Sequence, residues 1–111
     1  MTAALADSSG VGRDAFTSRI RGLLGDDDAQ VRINALRALA TFRDPALAPL
    51  AAPRMTDRDP NVPVQAAAAL GALGGPRAVQ ALTERFAGAG SFALRRAILL
   101  ALGEAEPGAA L

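Results

Sequence analysis

The amino-acid sequence predicts an all-α solenoid, a short stack of about three antiparallel helix pairs. Three observations predict it: an internal repeat with a 31-residue offset, apolar residues at helical rather than alternating spacing, and Pro, Gly and capping residues at the ends of each periodic run.

The repeat comes first because it sets the register of everything else. The segment Val31 to Leu39, VRINALRAL, aligns with Val62 to Leu70, VPVQAAAAL, and the same offset carries Phe42 to Leu73 and Pro45 to Pro76. A third copy, LRRAILLAL, runs from Leu94 to Leu102, one residue later than the offset requires, and the loop Gly88-Ala89-Gly90 absorbs the insertion at little cost. A second ladder lies between these copies. Phe16, Ile20, Leu23 and Leu24 fall on one stripe of a helix. One offset on, the positions of Phe16, Ile20 and Leu24 become Leu47, Ala51 and Met55, and then Ala78, Leu82 and Phe86.

The punctuation agrees with helices of about three turns. Asp44-Pro45 and Gly75-Pro76 put Pro at a first helical position, where its missing N–H is no loss. Asp28 and Ser91 are expected to cap the first and third copies, and Asn61 the second, which leaves Pro63 in a first turn. Gly74-Gly75 and Gly103 lie at or near helix ends. The expected helices are 14–24, 28–42, 45–55, 62–73, 77–87 and 92–104, after an irregular segment 1–13. Residues 107–111 read as the start of a further, incomplete helix, leaving 14–106 as the repeat domain. Pro49 and Pro53 each remove a backbone bond from the third helix, which should be the least regular.

With these residues in place the chain resembles the HEAT-like repeats, in particular the short bacterial type first described in phycobilin lyases. Asp59-Pro60-Asn61-Val62, Ala66, Ala69-Leu70, Leu73-Gly74 and Pro76 fit the repeat pattern. So do Val31-Arg32, Ala35, Ala38-Leu39 and Asp44-Pro45, and, in the third copy, Leu94-Arg95, Ala101-Leu102 and Gly103. The family's Arg is present as Arg32 and Arg95 but replaced by Pro63, so a ladder of Arg–Asp pairs should be broken at the middle copy. Ile98 stands where the family has Ala at its tightest contact, which implies a looser or differently packed junction. The resemblance implies a non-catalytic protein-binding scaffold. The alternative it offers is a segment of a larger enzyme, such as a cyclophilin-type prolyl isomerase or a phycobilin lyase subunit, with the catalytic part outside this chain.

Composition narrows the chemistry. Cys and His are absent, which removes thiolate nucleophiles, disulfides and the usual transition-metal ligands, and without His or Lys neither Ser91 nor Thr83 has a base to activate it. No catalytic residue, cofactor or metal site is expected. Asp26-Asp27-Asp28 is read as a helix N-terminus, where acids complement the dipole, rather than a cation site. All twelve basic residues are Arg, balanced by eleven acids, and aromatic residues make up 4%, so nucleic acid is not an expected partner. Residues 1–12 lack the charged start and apolar run of a signal peptide, and no run is long enough to span a membrane; the expected place is the cytoplasm.

Two surfaces remain as candidates for binding. Arg19, Arg21, Arg54 and Arg85 fall on the second helices, which line the concave face in solenoids of the type resembled, with Glu84 beside Arg85. Arg54 and Arg85 are one offset apart and should stack, offering guanidinium groups to an acidic partner surface. The third copy is the more apolar one: Ile98, Leu99, Leu100 and Leu102 are expected to form an exposed end covered by further repeats, another domain or a second copy. The repeat register itself makes a prediction, since it places Leu70 in the shared middle of a marginal core. Leu70→Asp puts an unpaired charge there and should unfold the chain, observed as loss of the helical far-ultraviolet signal; a melting temperature that barely moves contradicts the register.

Overall fold

Short connections turn each helix back on the one before. The computed structural model describes residues 11–105, and their helices are α1 Val11–Leu24, α2 Ala29–Ala40, α3 over 45–56, α4 Asn61–Leu73, α5 Pro76–Gly88 and α6 Phe92–Ala105. No strand occurs among the described residues. α2, α4 and α6 pack in sequence as one layer, and α1, α3 and α5 form the second. The Cα dimensions of 43 × 38 × 17 Å are those of a slab whose short axis is two helices deep. Among the described residues no helix is long and apolar enough to cross a membrane.

The core lies between the layers, and its residues are those the repeat places there. Leu36, Leu39, Val62, Leu70, Leu82 and Ile98 are fully buried. Each buried Leu stabilises the fold by roughly 1.5–3 kcal/mol relative to an exposed one. Alanines fill the space between them: Ala35, Ala66, Ala67, Ala69 and Ala101 are buried, and their short side chains let helices of one layer approach closely. Phe16 of α1 stacks on Phe42 beyond the end of α2, with ring centroids 4.2 Å apart, and so joins the first helix to the first turn.

Helix ends follow the capping residues, with instructive exceptions. Asp28 accepts a hydrogen bond from the Gln30 amide at 2.9 Å, and Ser91 Oγ accepts one from the Leu94 amide at 3.0 Å, as expected for both. Asn61, however, is the first helical residue and not the cap: the Asp59 carboxylate accepts from the Asn61 amide at 2.8 Å, and Pro60 fills the cap position. Pro63 remains in the first turn, where no intrahelical bond is lost. α1 begins at Val11, inside the segment expected to be irregular, because Arg13 pairs with Asp44 and anchors the first turn to the start of α3. α6 runs through Gly103 to Ala105, which leaves that glycine in the last turn, near the helix end as expected. Residues 107–111, read as the start of another helix, lie outside the described residues.

α3 is the irregular helix. Two 3₁₀ stretches, Pro45–Leu47 and Ala52–Thr56, flank the single α-turn Ala48–Ala51, because Pro49 and Pro53 each lack the amide an unbroken α-helix would use. The turn before it carries a second irregularity. Arg43 adopts a positive φ of 48°, and at the equivalent position one repeat later Gly74 has a φ of 71°. A side chain in that region costs about 1–2 kcal/mol that glycine avoids.

The third copy differs from its expectation. Ile98, expected at an exposed end and at a looser or differently packed junction, is fully buried in the core; of the four apolar residues, Leu99 and Leu100 are well exposed, at 57% and 62%, and Leu102 is half-buried. The junction is close rather than loose because α4 supplies Gly71 opposite α6: a Cβ there would lie 2.9 Å from Ala101 Cα. Two stability changes of opposite sign follow. Gly71→Ala should destabilise by about 1–3 kcal/mol in denaturant titration, since backbone must shift. Arg43→Gly, the residue already used in the second repeat, should stabilise by up to about 1 kcal/mol; reversal of either sign would contradict the packing described.

Candidate functional site

The guanidinium of Arg32 holds the helix pairs together from inside. It is 2% exposed and uses all three nitrogens. Nε and Nη2 donate to the two oxygens of Asp57 at 2.8 and 2.9 Å, a bidentate fork, while Nη1 donates to the carbonyls of Asp26 and Asp27 at 2.6 and 3.1 Å. The loop before α2 is thus tied to the loop after α3. Asp57 is equally buried and also accepts from the Asp59 amide at 2.9 Å and from Arg54 Nη1 at 3.3 Å. Asp26-Asp27-Asp28 therefore acts through its backbone carbonyls and one cap. Among the described residues no three His, Cys, Asp or Glu side chains gather as a metal site.

The same contact recurs where the sequence allows it. Arg95 Nη1 donates to the Ala89 carbonyl at 3.0 Å, as Arg32 does to that of Asp26. In the middle copy Pro63 has no donor, and Gly88 stands where Asp57 does one repeat earlier, so both halves of the pair are missing together and the ladder is interrupted as expected. A second ladder runs along α1, α3 and α5. Arg54 Nη1 donates to the Leu24 carbonyl at 3.2 Å, and Arg85 Nε donates to the Met55 carbonyl at 3.1 Å. Each guanidinium sits over the C-terminal end of the preceding helix of its layer, where a cation complements unpaired carbonyls and the helix dipole.

These clamps form the rims of two grooves on the second-helix face. The first, about 260 Å³, lies between α1 and α3 and is lined by Arg21, Leu24, Leu50, Pro53 and Arg54, among others. The next, about 380 Å³, lies between α3 and α5, and five of its lining residues, Ala52, Met55, Ala81, Glu84 and Arg85, stand one 31-residue offset beyond those. The same groove is built twice. Both have apolar floors and charged edges.

The sequence-selected residues divide accordingly. Arg21 and Arg54 line the first groove, Glu84 and Arg85 the second, and Arg19 is exposed on α1 but lines neither. Arg54 and Arg85 are half-buried and engaged with backbone carbonyls, whereas Arg21 is exposed; Glu84, also exposed, accepts from Gln80 at 3.1 Å. The apolar floor residues Leu50, Pro53 and Ala81 escape sequence reasoning, which takes the prolines only as helix breakers. The repeat offset, which carries Leu50 to Ala81, is the signal that could have found that pair; Pro53 has Glu84 at its equivalent position and gives none.

Helix pairs in two layers, stitched by equivalent contacts one repeat apart, define a helical-repeat solenoid. The family model for HEAT repeats matches residues 17–105, most of the chain, and the protein belongs to that family. HEAT repeats commonly mediate protein–protein interaction and are typically non-catalytic. No curated protein matches the chain.

The buried pair makes stability depend on pH. Burial raises the pKa of Asp57, but the hydrogen bonds from Arg32 and the Asp59 amide, with the charges of Arg32 and Arg54, outweigh it and hold the carboxyl below the usual carboxylate range. Asp44 is lowered as well, by the Ala46 amide and then by Arg13. Such groups bind fewer protons folded than unfolded, so their stabilisation is complete above about pH 5 and is lost progressively as pH falls through the unfolded value to the lowered folded-state values. Asp57→Ala leaves a buried guanidinium unpaired and should lower the melting temperature at neutral pH by roughly 10 °C or more. The variant should also lose part of the acid sensitivity of the parent chain; an unchanged melting temperature would show the pair to be dispensable.

Proposed function

We propose that this protein is a non-catalytic scaffold that binds an extended segment of a partner protein across its second-helix face. The observation that carries this reading is the groove repeated between α1 and α3 and between α3 and α5. Neighbouring helices of a layer lie about 8–10 Å apart. A polyproline II segment rises about 9 Å in three residues and brings every third side chain to one side, so residues at i and i+3 reach successive grooves. The floors favour small apolar side chains. Arg21 and Arg54 at the first groove favour an acidic neighbour, while the second groove pairs Arg85 with Glu84 and is closer to neutral. The candidate protein-binding residues are therefore Arg21, Arg54, Glu84 and Arg85, with Leu50 and Ala81 as floor contacts.

Selection of a random peptide library on the immobilised chain tests this directly. Enriched peptides should carry small apolar residues three apart with an acid at one end, and they should weaken as salt is raised. Arg21 is exposed and makes no contact that folding needs, so Arg21→Glu should reduce their affinity about tenfold while leaving the melting temperature in place. Peptides that lack the pattern, or that bind the variant equally well, contradict the proposal.

A further inference from the structure

The opposite face of the slab carries a groove of a different kind. It lies between α4 and α6 and measures about 310 Å³. Ala93, Ala97 and Ala101 line its α6 side, and Val64 and Ala68 of α4 form the other wall. Beside the alanines runs a ridge of Arg96, Leu100 and Glu104, one residue per turn, and Leu100 at its centre is 62% exposed. A large apolar side chain thus stands next to a trough made of small ones. The charge on either side of it is opposite in sign.

That arrangement is self-complementary. In a two-fold pair of antiparallel α6 helices with the axis beside Leu100, the residue four positions before Leu100 in one copy faces the residue four positions after it in the other. Arg96 then meets Glu104 twice, once at each end. Ridges of residues four apart from two helices lie side by side when the helices cross at about −50°, the commonest packing class, and each ridge then enters the neighbouring groove of its partner. Glu104 has a long contact of 3.8 Å with Arg43 of its own chain, but both side chains are more than half exposed, so that pair is weak and leaves the carboxylate available. A partner of another kind would have to reproduce by coincidence a pattern that a second copy supplies by symmetry.

We propose that the chain forms a two-fold symmetric homodimer through α6, with Leu100 of each copy seated in the alanine-lined groove of the other and Arg96 paired with Glu104 across the axis. With one leucine and one ion pair contributed by each copy, the expected dissociation constant is on the order of 10 µM. Because it uses the first-helix layer, the second-helix grooves stay open in both copies. The dimer presents two such faces, and a partner with two binding segments gains from the linkage. The inference does not depend on what those grooves bind.

Sedimentation equilibrium across the micromolar range tests it on the whole chain, with charge reversals at exposed positions that leave the fold intact. Wild type should show a concentration-dependent monomer–dimer equilibrium. Arg96→Glu places two carboxylates face to face at each end of the interface, and Glu104→Arg places two guanidinium groups there, so each variant alone should dimerise at least tenfold more weakly. An equimolar mixture of the two should recover a dimer, since both contacts across the axis are then of opposite charge. The double variant R96E/E104R should recover it as well. A monomeric wild type at all concentrations overturns the proposal. So does association unaffected by either reversal, or failure of the mixture and the double variant to regain the dimer while circular dichroism shows all four proteins folded alike.

Discussion

A guanidinium cannot leave water without partners for its charge and its donors, and the arrangement around Arg32 meets that demand. Its fork on Asp57 and its bonds to the carbonyls of Asp26 and Asp27 bring together two loops that the whole of α2 and α3 separates along the chain. The consequences pass along a short relay. Asp57, fixed by Arg32, accepts from the Asp59 amide, and Asp59 in turn accepts from the Asn61 amide that opens α4. The pitch from one helix pair to the next is thus set by a buried ion pair and one further turn carboxylate, and among the described residues no buried side-chain polar atom is left without a partner.

The middle copy shows that the ladder is one of two ways to make a junction. Pro63 and Gly88 remove the donor and the acceptor together, so no charge is stranded, and Pro63 is buried. An apolar substitute for a buried pair need not be less stable, because the desolvation cost of the charges disappears with them. At that junction closeness replaces charge: Gly71 lies against Ala101, and the helices α4 and α6 pack backbone to backbone.

The two layers face different tasks. α1, α3 and α5 carry guanidinium groups that first serve the solenoid, capping the carbonyl ends of preceding helices, and only through their remaining exposed edges shape the grooves. α4 and α6 present a smoother surface, in which the conspicuous features are an exposed leucine and two charges at equal distances from it. A face that repeats by translation suits an elongated ligand, whereas a pattern symmetric about one residue suits a copy of itself.

The linear sequence by itself determined the class of fold and the register, because helical periodicity, proline position and the 31-residue offset are local or translational properties that survive without coordinates. The six helices of the described residues and the broken α3 were legible in that way, whereas the interrupted Arg ladder was legible only through the resemblance to HEAT-like repeats. The candidate site was legible only in part: Arg21, Arg54, Glu84 and Arg85 could be assigned to second helices, but not that Arg54 and Arg85 are half-spent on backbone carbonyls, nor that Leu50 and Ala81 floor the grooves between them. Ile98 shows the same limit from the other side, since a run of apolar residues does not say which of them faces inward. Only tertiary structure decided these points. The rotation of each helix about its axis and the depth of contact depend on what the neighbouring helix supplies, here a glycine at position 71, and that partner is chosen in space rather than along the chain.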